Sequence, residues 1–149
     1  MNPDTTLQPI RILHLEDSVQ DHEIVLRTLR KSELLFEISR VEKLQNFTQA
    51  VATLHYDVIL ADYRLPGFTA LDAWQTLADL PTRPPFILLS GAIGETAAVD
   101  AIKLGMSDYL LKDDMSKLAY VIERAIEVSE IKRAKELAKS LYRAYFIDN

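Results

Sequence analysis

Short apolar runs alternate with amphipathic stretches along the chain. "IRILHL" (Ile10 to Leu15) alternates and runs straight into Glu16-Asp17. From Ser18 to Lys31, Val19, Leu26 and Leu29 fall near one helical face. "FEISRV" (Phe36 to Val41) alternates as a strand, and Leu44, Phe47, Val51 and Leu54 then recur at helical spacing. "DVILA" predicts a third strand, which runs into Asp62. Leu71, Trp74, Leu77 and Ala78 make the next helix face, which stops before "LPTRPP" because proline forbids continuation. "FILLS" (Phe86 to Ser90) is the fourth strand. Ala98, Ala101 and Ile102 line a helix with Gly105 as its C-terminal cap. "DYLL" (Asp108 to Leu111) is the fifth strand, and from Ser116 the pattern stays helical almost to the end.

Five strand–helix pairs in strict alternation predict an α/β fold: one doubly wound, five-stranded parallel sheet with helices on both faces. Runs such as "VILA" and "FILL" fit strands buried on both sides. The last helix is longer than a covering helix needs.

Composition narrows the function classes. The chain has 149 residues, 48% of them hydrophobic, which suffices for one ordinary core. Its net charge of −5 argues against direct DNA binding, which uses a strongly basic surface. With 0 cysteines there is no disulfide framework, thiolate zinc site or cysteine nucleophile. No apolar run approaches the ~20 residues of a membrane helix. "MNPDTTLQP" lacks the pattern of a secretory signal. A cytoplasmic location is the expectation.

In open α/β sheets, sites form outside the carboxyl ends of the strands. The first strand ends in Glu16-Asp17, the third in Asp62 and the fourth in Ser90-Gly91, and Lys112 follows the fifth. Taken singly, the acids could be helix caps, Ser90 a turn residue and Lys112 a solvated surface lysine. Together they place three carboxylates, a hydroxyl and an ammonium on one edge. Carboxylates brought together repel, and each raises the pKa of its neighbours. A divalent cation removes that penalty, and Mg²⁺, hard and oxygen-seeking, fits best. His14 is read as a core or sheet-face residue outside this set. Lys112 would neutralise phosphate oxygens, Ser90 would donate to one of them, and an aspartate can itself act as nucleophile to form an acyl phosphate.

These residues resemble the receiver domain of two-component response regulators, a flavodoxin-like phosphoacceptor. Glu16-Asp17, "DYRLPG" from Asp62, "LSG" around Ser90 and "DYLLK" ending at Lys112 fall in that family's order and spacing, across about residues 9 to 127. The resemblance implies a phosphorylation-controlled signalling switch. Asp62 would accept a phosphoryl group from a histidine kinase or phosphotransfer protein. Asp17 and Asp62 would hold Mg²⁺ directly and Glu16 mainly through water, with the Arg64 carbonyl completing the set. Lys112 would bind a phosphoryl oxygen, and Ser90 and Tyr109 would form the switch pair. Such a domain promotes only its own phosphorylation and dephosphorylation. Pro66-Gly67 would turn the chain so that the Arg64 carbonyl faces the metal. Two departures stand out: Asp113-Asp114 follows the lysine where receivers commonly have proline, and Arg64 occupies a position that tends to influence acyl phosphate lifetime.

The expected division is a flexible N-terminus (1–8), a receiver domain (9–130) and a helical extension or linker (131–149). Leu118, Val121, Ala125 and Val128 form a docking seam. Ile131, Ala134, Ala138, Leu141 and Tyr145 form a second seam in a shifted phase. Either the helix ends near Glu130 and the rest folds back or frays, or an extension pairs with another copy as a homodimer through the C-terminal helix or leads toward an effector in a longer protein. Two rivals differ in kind. A magnesium-dependent phosphatase or phosphotransferase of the haloacid dehalogenase type would want a second aspartate where Arg64 stands. A non-phosphorylated pseudo-receiver scaffold would lack an acid or the lysine, and all are present.

Overall fold

The computed structural model describes residues 8–91 and 95–147. The expected flexible N-terminus thus lies outside the described residues, Gln8 excepted, as does part of the "GAIG" stretch after Ser90. In chain order the elements are β1 (Ile10–Leu15), α1 (Val19–Arg30), β2 (Phe36–Val41), α2 (Leu44–Thr53), β3 (Val58–Asp62), β4 (Arg64–Leu65), β5 (Phe68–Thr69), α3 (Ala70–Thr76), a 3-10 turn (Leu77–Asp79), β6 (Phe86–Ser90), α4 (Glu95–Lys103), β7 (Asp108–Leu111) and α5 (Leu118–Phe146).

Five strands form one parallel sheet in the order β2-β1-β3-β6-β7. The order reverses between β1 and β3, and that crevice is where ligands of such sheets bind. The central strands β3 and β6 are fully buried except at Asp62, which explains their unbroken apolar runs. The edge strand β2 alternates between half-buried and exposed positions. On one face, Ile12, Val58, Leu60, Ile87 and Leu89 pack under Val25 and Leu29 of α1 and Leu118, Val121, Ile122 and Ala125 of α5. On the other, Leu13, Leu15, Ile59, Ala61, Phe86 and Leu88 pack under Phe47 of α2, Ala73 and Trp74 of α3 and Ala101 of α4.

Local signals set the helix ends. Ser18 caps α1 by accepting from the Asp21 N–H at 3.2 Å. Thr69 and Asp72 form a reciprocal capping box on α3. Gly105 follows α4 with φ +109, a conformation that suits glycine.

Several expectations need correction. Leu54 is 51% exposed and lies just past α2, Ile102 is 43% exposed, and Ala78 is exposed. Val19 is 57% exposed, and Val25 with Leu29 forms the buried stripe of α1. Val128 is 55% exposed, because the docked stripe of α5 runs Leu118, Val121, Ile122, Ala125 and ends there. The stretch after Asp62 is also more than a turn. Arg64 pairs with Thr69 and Leu65 with Phe68 in a small antiparallel hairpin. Pro66 and Gly67, at φ +85, supply its bend in the manner of a type II turn.

Candidate functional site

The strand ends converge as the alternation predicts. β1 delivers Glu16 and Asp17, β3 delivers Asp62, and one carboxylate oxygen from each lies within 4.8 Å of the others. Glu16 is buried, Asp62 half-buried and Asp17 exposed, so the cluster opens to solvent on the Asp17 side. The Glu16 backbone is fixed on both sides. Its N–H donates to the Val41 carbonyl at 2.9 Å, and its carbonyl accepts from Arg40 Nη1 at 3.0 Å.

Lys112 follows β7. Its backbone N–H donates to the Ser90 carbonyl at 2.8 Å, which ties the ends of β6 and β7 together. Its ammonium reaches back over the sheet edge to Glu16 Oε1 at 2.7 Å, Asp21 Oδ2 at 2.6 Å and Asp62 Oδ2 at 3.2 Å. Burial works to lower the ammonium's pKa. The hydrogen bonds to Asp21 and then Glu16 overcome it and hold the pKa above its ordinary value. Glu16 is pushed up to about 7, first by burial and further by the Asp62 charge, against the opposing pull of Lys112.

Ser90 is buried at the end of β6. Tyr109 lies on β7, two positions short of the strand end, half-buried and packed against the α2–α4 side of the core. Arg64 is exposed on the hairpin just beyond Asp62. The structure thus brings Glu16, Asp17, Asp62 and Lys112 together. Ser90 and Tyr109 sit on the adjoining strands, and Arg64 borders the cluster in sequence.

Asp21 was absent from the sequence reading. An acid in the first turn of a helix is ordinarily explained by the macrodipole, and its partner lies 91 residues away. His14 is fully buried, on the face of β1 that looks toward α1. Its Nδ1 lies 2.9 Å from His22 Nδ1, and its Nε2 has no partner. A groove of about 770 Å³ between the α3–α4 side and α5, lined by Trp74, Arg83, Met106, Val121 and Arg124 among others, contains none of the acids. No helix among the described residues is long and apolar enough to cross a membrane.

Residues 12–123 match the model of the response regulator receiver domain. The chain is 29% identical over 118 residues to the regulatory protein AtoC of Escherichia coli (strain K12), a match covering 77% of this chain and 26% of that protein. It is 27% identical over 96 residues to the transcriptional regulatory protein FixJ of Bradyrhizobium diazoefficiens, covering 64% and 47%. It therefore spans less than half the length of either relative. Its fold is also that of the signal receiver domain of an HD domain-containing protein from Pseudomonas fluorescens Pf-5, with TM-score 0.75 and 19% identity over 90% of this chain and 98% of that one.

Proposed function

The chain belongs to the response regulator receiver family, and we propose that it is a phosphorylation-controlled switch whose phosphoacceptor is Asp62. The observation that carries this reading is the sheet edge itself, where Asp62 sits between two further carboxylates and an ammonium 3.2 Å away. The donor would be a phosphohistidine on a histidine kinase or phosphotransfer protein. An Asp62 oxygen attacks phosphorus as the nitrogen–phosphorus bond breaks. The electron pair stays on the imidazole, and an acyl phosphate remains on the protein. Lys112, already against Asp62, offsets charge on a transferred phosphoryl oxygen. The Ser90 hydroxyl donates to another, and Tyr109 follows it inward.

The donor set suits Mg²⁺. Three carboxylates with oxygens within 4.8 Å of one another are hard ligands, and their mutual repulsion is relieved by a divalent cation. Asp17 and Asp62 would hold the ion directly, Glu16 mainly through water, and the Arg64 carbonyl would complete the protein's share. When bound, the ion supplies charge neutralisation to the transferring phosphoryl group.

The chain would catalyse only its own phosphorylation and dephosphorylation, in the cytoplasm and without touching DNA. Residues 9–130 would form the switch and 131–149 an extension that pairs with a second copy. Incubation with acetyl phosphate and Mg²⁺, followed by intact mass, tests the chemistry. One phosphoryl group should appear on the parent chain, none with EDTA and none on Asp62→Asn. Phosphate gained by Asp62→Asn under the same conditions would show that the acceptor is wrongly assigned.

A further inference from the structure

Lys112 has three ammonium protons and three carboxylate partners. The contact to Asp62 is the longest of the three, 3.2 Å against 2.6 Å to Asp21 and 2.7 Å to Glu16. Those three partners are not equivalent. Glu16 and Asp62 both belong to the carboxylate set that could hold a metal ion, whereas Asp21 lies outside it. Asp21 is also rigidly mounted, since its N–H donates to the capping hydroxyl of Ser18 in the first turn of α1.

We propose that Asp21 is a positioning residue for Lys112, the one carboxylate reserved for the ammonium, which aims its remaining proton at Asp62 and at the phosphoryl group placed there. Glu16 cannot do this alone, because an ion in the acidic cluster competes for the same carboxylate. With Asp21 in place, Lys112 keeps one fixed leg whatever Glu16 does. Its weakest contact, to Asp62, is the one exchanged for a phosphoryl oxygen. The raised ammonium pKa, in which the hydrogen bond to Asp21 is the foremost stabilising contribution, agrees with this geometry.

This inference rests on Asp62 being the acceptor, and the experiment separates the two. The parent, Asp21→Asn, Asp21→Glu, Lys112→Gln and the Asp21→Asn/Lys112→Gln pair are phosphorylated with acetyl phosphate at saturating Mg²⁺. Asp21→Asn should slow the reaction about tenfold, the scale of one charge-assisted hydrogen bond. Asp21→Glu, which keeps the charge, should recover most of the rate. Asp21→Asn should add nothing once Lys112 is Gln, because a residue acting only through a partner is silent without it. Mg²⁺ affinity by calorimetry should stay within about twofold of the parent for Asp21→Asn, against the tenfold loss of rate. With EDTA present, the hydrogen-bonded ammonium signal of Lys112 in nitrogen-15 spectra should be sharp in the parent and broadened by exchange in Asp21→Asn. An Asp21→Asn rate equal to the parent's overturns the proposal. So does an equal slowing in both lysine backgrounds, which would mean a structural role, and so does a Mg²⁺ affinity that falls in step with the rate, which would make Asp21 a metal ligand. If the parent gains no phosphate, the assignment of Asp62 has failed instead, and the metal-free ammonium signal still decides whether Asp21 orders Lys112.

Discussion

His14 lies on β1, two residues before Glu16, yet its chemistry runs the other way. Burial, with the nearby His22 and the cations Lys112 and Arg40, lowers its pKa to about 3. The folded state therefore refuses a proton that the unfolded chain accepts near pH 6.5. Stability from this residue is present above about pH 6.5 and is lost as pH falls toward 3, at up to about 1.4 kcal/mol per pH unit. Glu16 has the opposite sign. Its folded pKa is raised to about 7, so its contribution is complete below its unfolded value of 4.5 and is lost as pH rises through 7. Comparing His14→Leu with the parent cancels most of the Glu16 effect. Urea unfolding between pH 7 and 4.5 should show the parent losing stability more steeply than His14→Leu, and parallel curves would mean that His14 takes up its proton inside the fold. The sequence placed His14 off the acidic edge because it precedes the acid pair, inside the strand and not beyond its carboxyl end. It did not reveal the contact to His22 across β1 and α1, nor that of Asp21 to Lys112, since both depend on how elements dock.

Among the elements, strands were the more legible. The edges of "IRILHL", "FEISRV" and "FILLS" coincide with β1, β2 and β6, because a short apolar run ended by a polar cluster has few other uses. Helix faces were read less well. Val19 and Val128 satisfy helical spacing yet are 57% and 55% exposed. Spacing finds an apolar stripe without saying how far the sheet extends under it. The hairpin β4–β5 is short and held by two residue pairs, too small for periodicity to register. Gly105 was legible for a physical reason, and its role can be measured. It ends α4 at φ +109, and a Cβ there would lie 3.2 Å from the Trp74 ring. Gly105→Ala should therefore lose about 1–3 kcal/mol of unfolding free energy in urea, through backbone strain and displacement of Trp74. A substituted chain as stable as the parent would mean that the turn and the ring adjust freely.

At the scale of the whole molecule the unusual feature is α5, 29 residues and so about 43 Å long. Its first turns dock through Leu118, Val121, Ile122 and Ala125, and every described residue from Glu130 onward is exposed. Most helical stability in proteins comes from packing an amphipathic face, so a second surface would stabilise this exposed stretch. Ile131, Ala134, Ala138, Leu141 and Tyr145 repeat at 3-4-3-4 spacing, with Leu137 and Tyr142 flanking them. If Ile131 takes the first core position of a parallel pair, Glu130 falls opposite Lys135 of the partner subunit, an attractive contact. Lys132, Lys139 and Arg143 face outward in the same register. This favours a second copy as the occupant. Phosphorylation adds about −1.5 to −2 charges at the far edge of β3, and α5 begins a few residues after Lys112, so the pairing should respond to the state of Asp62. Sedimentation with and without beryllofluoride, a phosphoryl mimic, should show stronger self-association in its presence. A chain truncated after Glu130 should lose that response while keeping its fold, because the buried stripe of α5 ends before the cut. Unchanged sedimentation of the full chain would leave the tail a constitutive seam or a linker. A response that survives truncation would move the interface onto the domain itself, to the surface formed by α4, β7 and the docked turns of α5.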